Sequence, residues 1–165
     1  ALAFCWGVKP GCNILNLLYK YPNHEEALRT SKLRYEGYVK GKKYLVFGRM
    51  LREPPAADAV PLIPVKWHIG YGMRYYDVLM AKVLKSAWAA PDGGFALVLY
   101  NIDEEPQALT LVLNKKEYRL GPGKFSPLYP AGLVYEMKDD GDVYRLEITI
   151  PPRSPAILEF VPAEN

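Results

Sequence analysis

The sequence predicts a protein that is mainly β, with an α/β segment at its N-terminus. Two observations lead to this fold class. An apolar run and a capped helix fill residues 1–43, whereas short apolar segments between turn signals fill the chain after residue 77. Short strands between frequent turns are typical of an antiparallel β-sandwich. We therefore expect a strand and a helix at 1–43, a connector with the first strands at 44–77, and a β-sandwich domain at 78–165.

The N-terminal segment combines an uncharged run with a helix. ALAFCWGV (1–8) is apolar on both faces, which is typical of a strand in a parallel sheet that is covered on both sides. The segment 23–43 predicts a helix, because Asn23 is a good N-cap, Glu26 completes a capping box and Gly41 marks the end. This order of strand and helix resembles one unit of an α/β fold.

The pattern changes at residue 44, where the connector begins. YLVFGRML (44–51) is strand-like, and a proline-rich segment follows at 52–64. Proline cannot donate a hydrogen bond within a sheet, so such a segment favours a loop or a sheet edge. We expect one strand here, followed by a loop that leads into the sandwich.

Turn signals bound the strands of the predicted sandwich. Residues 91–94 (PDGG) and 139–142 (DDGD) are both hairpin signals. In the strand 143–150, apolar residues from Tyr144 to Ile150 alternate with polar ones, so one face of this strand is expected to meet the core. The predicted strands are 78–90, 95–102, 108–113, 133–138, 143–150 and 156–161.

Composition and charge exclude two classes of partner. Half of the 165 residues are apolar, 24% are charged, and the net charge is +3. Lysines and arginines are dispersed among acidic residues, so the sequence predicts no nucleic-acid partner. No apolar run approaches the roughly 20 residues that cross a bilayer, so it also predicts no membrane association.

The sequence lacks motifs for catalysis or metal binding. Its only histidines are His24 and His68, and Cys5 and Cys12 do not supply the ligand spacing of a zinc site. Most carboxylates lie at turn tips or on the helix surface, so no pair is placed for glycoside hydrolysis. We therefore predict no catalytic residue, no metal and no cofactor. The two cysteines are expected to be free buried thiols or, as the alternative, a mutual disulfide.

Several segments together resemble a known family. These are AFCWGVKPG near the start, the segment 43–55, the segment 84–113 with its motif S-x-W-x-x-P-D-G, and the closing segment 150–162. They resemble the C-terminal portion of a glycoside-hydrolase-like (β/α)8-barrel protein of uncharacterised function. The resemblance implies that residues 1–43 are the last strand and helix of the barrel, and that the β-sandwich is the domain that follows such barrels.

The resemblance also implies a function and a site. The remaining barrel strands and their catalytic carboxylates would lie outside this chain, which would be non-catalytic and would brace the barrel. Its partner would be the remainder of a barrel domain or an oligomer partner. Barrel sites form at the C-terminal ends of strands. The resemblance therefore implies that Trp6, Lys9 and Asn13, at the end of the last strand and in the loop after it, are candidates for substrate contact.

An independent carbohydrate-binding module is the alternative interpretation. KWHIGYGMRYYD (66–77) is rich in aromatic residues, and aromatic rings offer flat faces that stack on sugars. Trp67, Tyr71, Tyr75 and Tyr76 are the candidates for this role. A structural or interaction domain without a ligand is the third interpretation.

Overall fold

A computed structural model describes residues 1–8, 24–69 and 74–163 of the chain, and of residues 67–69, 74 and 75 it describes the backbone alone. Strands account for 47% of the residues, which confirms the mainly β class. The described helices are α1 (Leu2–Cys5), α2 (His24–Lys40), α3 (Lys42–Leu45) and α4 (Lys115–Tyr118). The described strands are β1 (Arg49–Met50), β2 (Leu62–Ile69), β3 (Arg74–Ala81), β4 (Val83–Ala89), β5 (Phe95–Asn101), β6 (Gln107–Asn114), β7 (Gly123–Tyr129), β8 (Val134–Asp140), β9 (Val143–Ile150) and β10 (Pro155–Pro162).

The strands form antiparallel sheets that pack as a sandwich. One sheet has five strands in the order β1-β4-β5-β10-β7, and the second has three in the order β6-β9-β8. Strands β2 and β3 pair with each other as a separate ribbon. The predicted antiparallel sandwich is thus confirmed. Strand β3 runs across the expected boundary between residues 77 and 78.

The space between the two sheets holds the main hydrophobic core. Leu97 and Leu99 of β5 and Leu158 of β10 are fully buried on the side that meets Leu111 and Leu146 of the three-stranded sheet. The burial of β9 alternates as the sequence predicts, with every second residue from Tyr144 to Ile150 buried. Period-two alternation therefore fixes the inward face of the three-stranded sheet.

The outer face of the five-stranded sheet is also buried, beneath the N-terminal helices. Phe4 and Tyr44 belong to a second core with Trp88, Val98 and Ile157. Every residue of β5 is buried, so neither face of this strand contacts solvent. In a two-layer sandwich, by contrast, buried and exposed residues alternate along each strand. The chain therefore builds three layers: helices, the five-stranded sheet and the three-stranded sheet.

Two glycines let α2 lie close against this second core. A Cβ atom at Gly37 would lie 3.1 Å from Cζ of Phe4, and one at Gly41 would lie 2.6 Å from Cδ1 of Ile157. Gly41 also separates α2 from α3, as the sequence predicts. The predicted helix 23–43 is confirmed over His24–Lys40, while its proposed N-cap, Asn23, lies outside the described residues.

The predicted strand at 1–8 is wrong, because Leu2–Cys5 form an α-helix. A short apolar run does not distinguish a strand from a buried helical turn. Here the run is buried by lying on the outer face of the five-stranded sheet, with Phe4 and Cys5 inside. Hydrogen bonds from Oγ of Ser86 and Nε1 of Trp88 to the Cys5 carbonyl, at 2.8 and 3.3 Å, join the helix to β4.

Two further strand predictions differ from the structure. Residues 44–51 hold only the short strand β1, because the chain continues as helix to Leu45. The predicted strand 78–90 is divided at Lys82 into β3 and β4. Lys82 donates its amide to the Pro61 carbonyl and accepts from the Ile102 amide, both at 2.8 Å. The chain leaves the ribbon and enters the five-stranded sheet at this residue.

Asn101, at the end of β5, ties the two sheets together and provides a test of the fold. Its Nδ2 donates to the carbonyls of Glu105, Ile150 and Pro151 at 2.8–3.1 Å, and its Oδ1 accepts the Asp103 amide at 2.9 Å. Asn101 is fully buried. We expect Asn101→Ala to lower the free energy of unfolding by about 2–4 kcal/mol, because buried carbonyls lose their donor. Urea denaturation measures this loss.

Asn114→Ala is the matched control for this prediction. Asn114 is the exposed N-cap of α4, and its Oδ1 accepts the Glu117 amide at 2.9 Å. Loss of an exposed cap costs about 1 kcal/mol. If Asn101→Ala proved no more costly than Asn114→Ala, the linking role of Asn101 would be wrong.

Candidate functional site

A groove of about 1140 Å³ opens at one end of the five-stranded sheet. We call it the polar groove. It forms where the segment after α3, the turn between β4 and β5, helix α4 and strand β10 come together. The side chains that characterise it are those of Lys43, Phe47, Arg49, Asp92, Arg119 and Glu159.

A hydrogen-bonded ion network forms one wall of the polar groove. Glu159 Oε1 accepts the Tyr44 hydroxyl at 2.5 Å and the Lys43 ammonium group at 3.0 Å. Lys43 Nζ also lies 3.1 Å from Oδ2 of Asp92, whose Oδ1 accepts the Gly94 amide at 3.0 Å. The network therefore connects α3, the β4–β5 turn and β10.

The pKa shifts of Lys43, Asp92 and Tyr44 keep these three groups in their ordinary charge states. Burial opposes the charge on Lys43, but hydrogen bonds to Glu159 and Asp92 outweigh it and raise the pKa of Lys43. The Gly94 amide, followed by Lys43, lowers the pKa of Asp92. Burial and then the hydrogen bond to Glu159 raise the pKa of Tyr44 well above its usual range. At neutral pH Lys43 is thus a cation, Asp92 an anion and Tyr44 neutral.

Three arginines, Arg49, Arg52 and Arg119, also line the polar groove. Arg52 Nη1 lies 3.2 Å from Oε1 of Glu117. Arg49 and Arg119 make no side-chain hydrogen bond or ion pair with any residue that the structure describes. Phe47, which is 66% exposed, precedes Arg49 by two residues and also borders the groove.

The arrangement favours binding over proton transfer. Lys43, Asp92 and Glu159 are engaged with one another, so none of these three groups is poised as a free general base or nucleophile. Within the described ranges, no group of three or more His, Cys, Asp or Glu side chains could hold a metal ion. Burial raises the pKa of the free thiol of Cys5 to about 12, and a thiol in this state is a poor nucleophile.

Of the three residues predicted to contact substrate, Trp6, Lys9 and Asn13, the structure describes only Trp6. Its side chain is 57% exposed and borders a cavity of about 570 Å³, whose lining includes Glu53, Val60 and Lys85. Lys9 and Asn13 lie outside the described residues, as does Cys12. The assignment of Trp6 to substrate contact stays a prediction.

The second set lies on the ribbon of β2 and β3. The register pairs Trp67 with Tyr76 and His68 with Tyr75 across the two strands. Tyr76 is 48% exposed, and Tyr71 lies outside the described residues. The fold therefore brings three of the four aromatic candidates, Trp67, Tyr75 and Tyr76, to neighbouring backbone positions, which the spacing of a hairpin could have predicted.

Sequence reasoning missed the polar groove. Glu159 interrupts the apolar strand AILEFV, and this single carboxylate was the available signal. Lys43 and Asp92 gave no comparable signal, because lysines at helix ends and aspartates in turns are common for local reasons. Their association with Glu159 depends on contacts between residues that are far apart along the chain.

Comparisons with known proteins provide no relative of this chain: no family model, no curated protein and no solved structure matches it. None of the helices that the structure describes is long and apolar enough to span a bilayer.

The hydrogen bond between Tyr44 and Glu159 can be tested directly. Tyr44→Phe keeps the ring and removes the hydroxyl, and we expect a loss of about 1.5–3 kcal/mol in the free energy of unfolding, since the acceptor is a carboxylate. Folding raises the pKa of Tyr44, so the native state binds this proton more tightly than the unfolded state. Wild-type stability should therefore fall as the pH rises above about 10, and Tyr44→Phe should fall less. Urea denaturation from about pH 7 to pH 11 measures both effects.

A double-mutant cycle with Glu159→Gln isolates this pair. We expect a coupling energy of about 1 kcal/mol or more between Tyr44→Phe and Glu159→Gln. Tyr135→Phe is the control, because its hydroxyl donates to the Phe125 carbonyl at 2.7 Å instead. Additive effects of Tyr44→Phe and Glu159→Gln would contradict the assignment.

Proposed function

We propose that this chain is a non-catalytic region of a glycoside-hydrolase-like protein and braces a neighbouring catalytic barrel domain. The supporting observation is that the helical layer exposes several large apolar side chains. The five-stranded sheet is covered by α1, α2 and α3, yet these helices and their flanking residues expose large apolar side chains of their own. These are Trp6, Val8, Tyr35, Val39 and Val46.

The geometry of α2 supports an outward-facing contact surface. Gly37 and Gly41 face the sheet, where they approach Phe4 and Ile157. Tyr35 and Val39 each precede one of these glycines by two residues, which rotates them by about 200° around the helix axis. Both are exposed. An apolar pair on the far side of a helix from its own core is suited to packing against another domain.

The ion network supports a non-catalytic role. Lys43 pairs with both Asp92 and Glu159, and these contacts connect the helical layer to the sheet. The S-x-W-x-x-P-D-G motif that carries the family resemblance serves the same junction. Its Ser86 and Trp88 donate to the Cys5 carbonyl of α1. The motif is thus suited to attaching helices to a sandwich.

Self-association of the chain tests the bracing role. With its apolar surface uncovered, the chain should associate reversibly at about 100 µM, a concentration at which exposed apolar surface drives aggregation. The variant Tyr35→Ser/Val39→Ser should remain monomeric or associate at least about tenfold more weakly, since it removes apolar area from the contact. Sedimentation equilibrium measures both states.

Val134→Ser is the control for this experiment. Val134 is 69% exposed on β8, in the sheet that lies on the opposite side of the sandwich. Its replacement should leave the association unchanged, and the chain should not hydrolyse aryl glycosides. A monodisperse wild-type monomer would contradict the proposal, as would equal effects of Val134→Ser and the helix variant.

Carbohydrate binding by the ribbon is the second candidate function. It is favoured by the register of β2 and β3, which places Trp67 opposite the exposed Tyr76. Neighbouring aromatic positions on one ribbon are suited to stacking on successive sugar rings. The ribbon pairs with no other described strand, and Tyr76 is exposed on it.

Replacement of Tyr76 tests this second candidate. Tyr76→Ala should weaken the binding of a neutral oligosaccharide by at least about fivefold, because a stacking ring is lost. Leu79→Ala is the control, since Leu79 is exposed on the same strand but lies an odd number of positions from Tyr76 and therefore on the other face. Isothermal titration calorimetry measures the affinities. Unchanged binding by Tyr76→Ala would exclude the ribbon as the site.

A further inference from the structure

We propose that the polar groove binds an acidic saccharide, with its carboxylate or sulfate against Arg49 and Arg119 and the apolar face of its ring on Phe47. The residues of this site are not those of the ribbon, nor Tyr35 and Val39 of α2, which the association experiment changes. The saccharide class rests on the proposed association of the chain with carbohydrate. The acidic group is inferred from the charges of the groove itself.

The acids of the polar groove are already occupied. Glu159 accepts hydrogen bonds from Lys43 and Tyr44, Asp92 accepts from Gly94 and pairs with Lys43, and Glu117 pairs with Arg52. Lys43 balances one of the two negative charges of Asp92 and Glu159, and Arg52 balances that of Glu117, so the three carboxylates together keep one unbalanced negative charge.

Two arginines of the polar groove differ from its acids, because their side chains have no bonding partner among the described residues. Arg49 and Arg119 border the same groove, and neither has a side-chain partner in the part of the chain that the structure describes. A guanidinium group presents a fork of donors that matches a carboxylate or sulfate. With these two groups, four cationic and three anionic side chains line the groove, and the resulting excess of one positive charge favours an oxyanion.

Both arginines project from backbone that is held in place. Arg49 is paired with Ala89 in the register of β1 and β4. Arg119 ends α4 in the left-handed conformation, with φ of 55°, between the buried residues Tyr118 and Leu120. A left-handed arginine costs backbone energy that glycine or asparagine would largely avoid. The backbone of Arg119 is thus fixed at a position that borders the groove.

Phe47 supplies a second kind of contact. It is the most exposed aromatic side chain among the described residues, at 66%, and it borders the groove two residues before Arg49. The face of a sugar ring that carries axial hydrogens is apolar and packs on an aromatic ring. An aromatic face beside guanidinium groups thus matches a ring that is apolar on one face and anionic at its edge.

Titration calorimetry with three oligosaccharides of equal length tests this proposal: an oligouronate, a sulfated oligosaccharide and a neutral one. The protein carries Tyr76→Ala throughout, so that the ribbon does not contribute. We expect at least one acidic ligand to bind about tenfold or more tightly than the neutral ligand. Arg49→Gln/Arg119→Gln should weaken that binding at least about tenfold, because charge-assisted hydrogen bonds are lost. Phe47→Ala should weaken it at least about threefold.

The control variant is Lys66→Gln/Lys138→Gln, which removes the same number of positive charges from exposed positions on β2 and β8. It should bind the acidic ligand with unchanged affinity. Stronger uronate than sulfate binding assigns a carboxylate ligand, and the reverse assigns a sulfated one. The proposal is overturned if no acidic ligand binds, if the neutral ligand binds equally well, or if both double variants lose affinity equally. None of these results bears on the association measured with Tyr35→Ser/Val39→Ser, so the two proposals fail independently.

Discussion

The complete burial of β5 is the constraint on which the rest of the structure depends. All seven residues from Phe95 to Asn101 are buried, so both faces of the five-stranded sheet must be covered. The three-stranded sheet covers one face and gives the sandwich its main core. The helices cover the other face, with Phe4 and Tyr44 against Trp88 and Val98. Without the helical layer, an apolar sheet face would be exposed to water.

The junction between helices and sheet explains several features that otherwise look unrelated. Ser86 and Trp88 bind the Cys5 carbonyl, and Lys43 and Tyr44 bind Glu159 on β10. Polar groups that are buried at such a junction need partners, and in the described residues every buried side-chain nitrogen and oxygen has one. The S-x-W-x-x-P-D-G motif therefore has a structural meaning. It brings donors from one strand to the helical layer that covers it.

The polar groove lies at the same junction. Some of its charged side chains bond to one another, and others have no partner among the described residues. Lys43 bonds to both Asp92 and Glu159 and joins the layers, whereas Arg49 and Arg119 border the same groove without a side-chain partner among the described residues. Side chains that stabilise the fold cannot change partners without a loss of stability, so the side chains that bind a ligand should be different ones. The exposed apolar side chains of the helical layer and the charged groove are thus different features of the same fold.

The sequence by itself determined what depends on neighbouring residues. The strand 143–150 with its alternating burial, the PDGG and DDGD turns, and the end of the helix at Gly41 all follow from local patterns. Only the tertiary structure decided that residues 2–5 are helical and that Lys43 meets Glu159, 116 positions away. An apolar run indicates that a segment is buried, but whether it forms a helix or a strand depends on the surface against which it packs. A charged residue likewise acquires its partner from the fold, because contacts across layers leave no periodic signal along the chain.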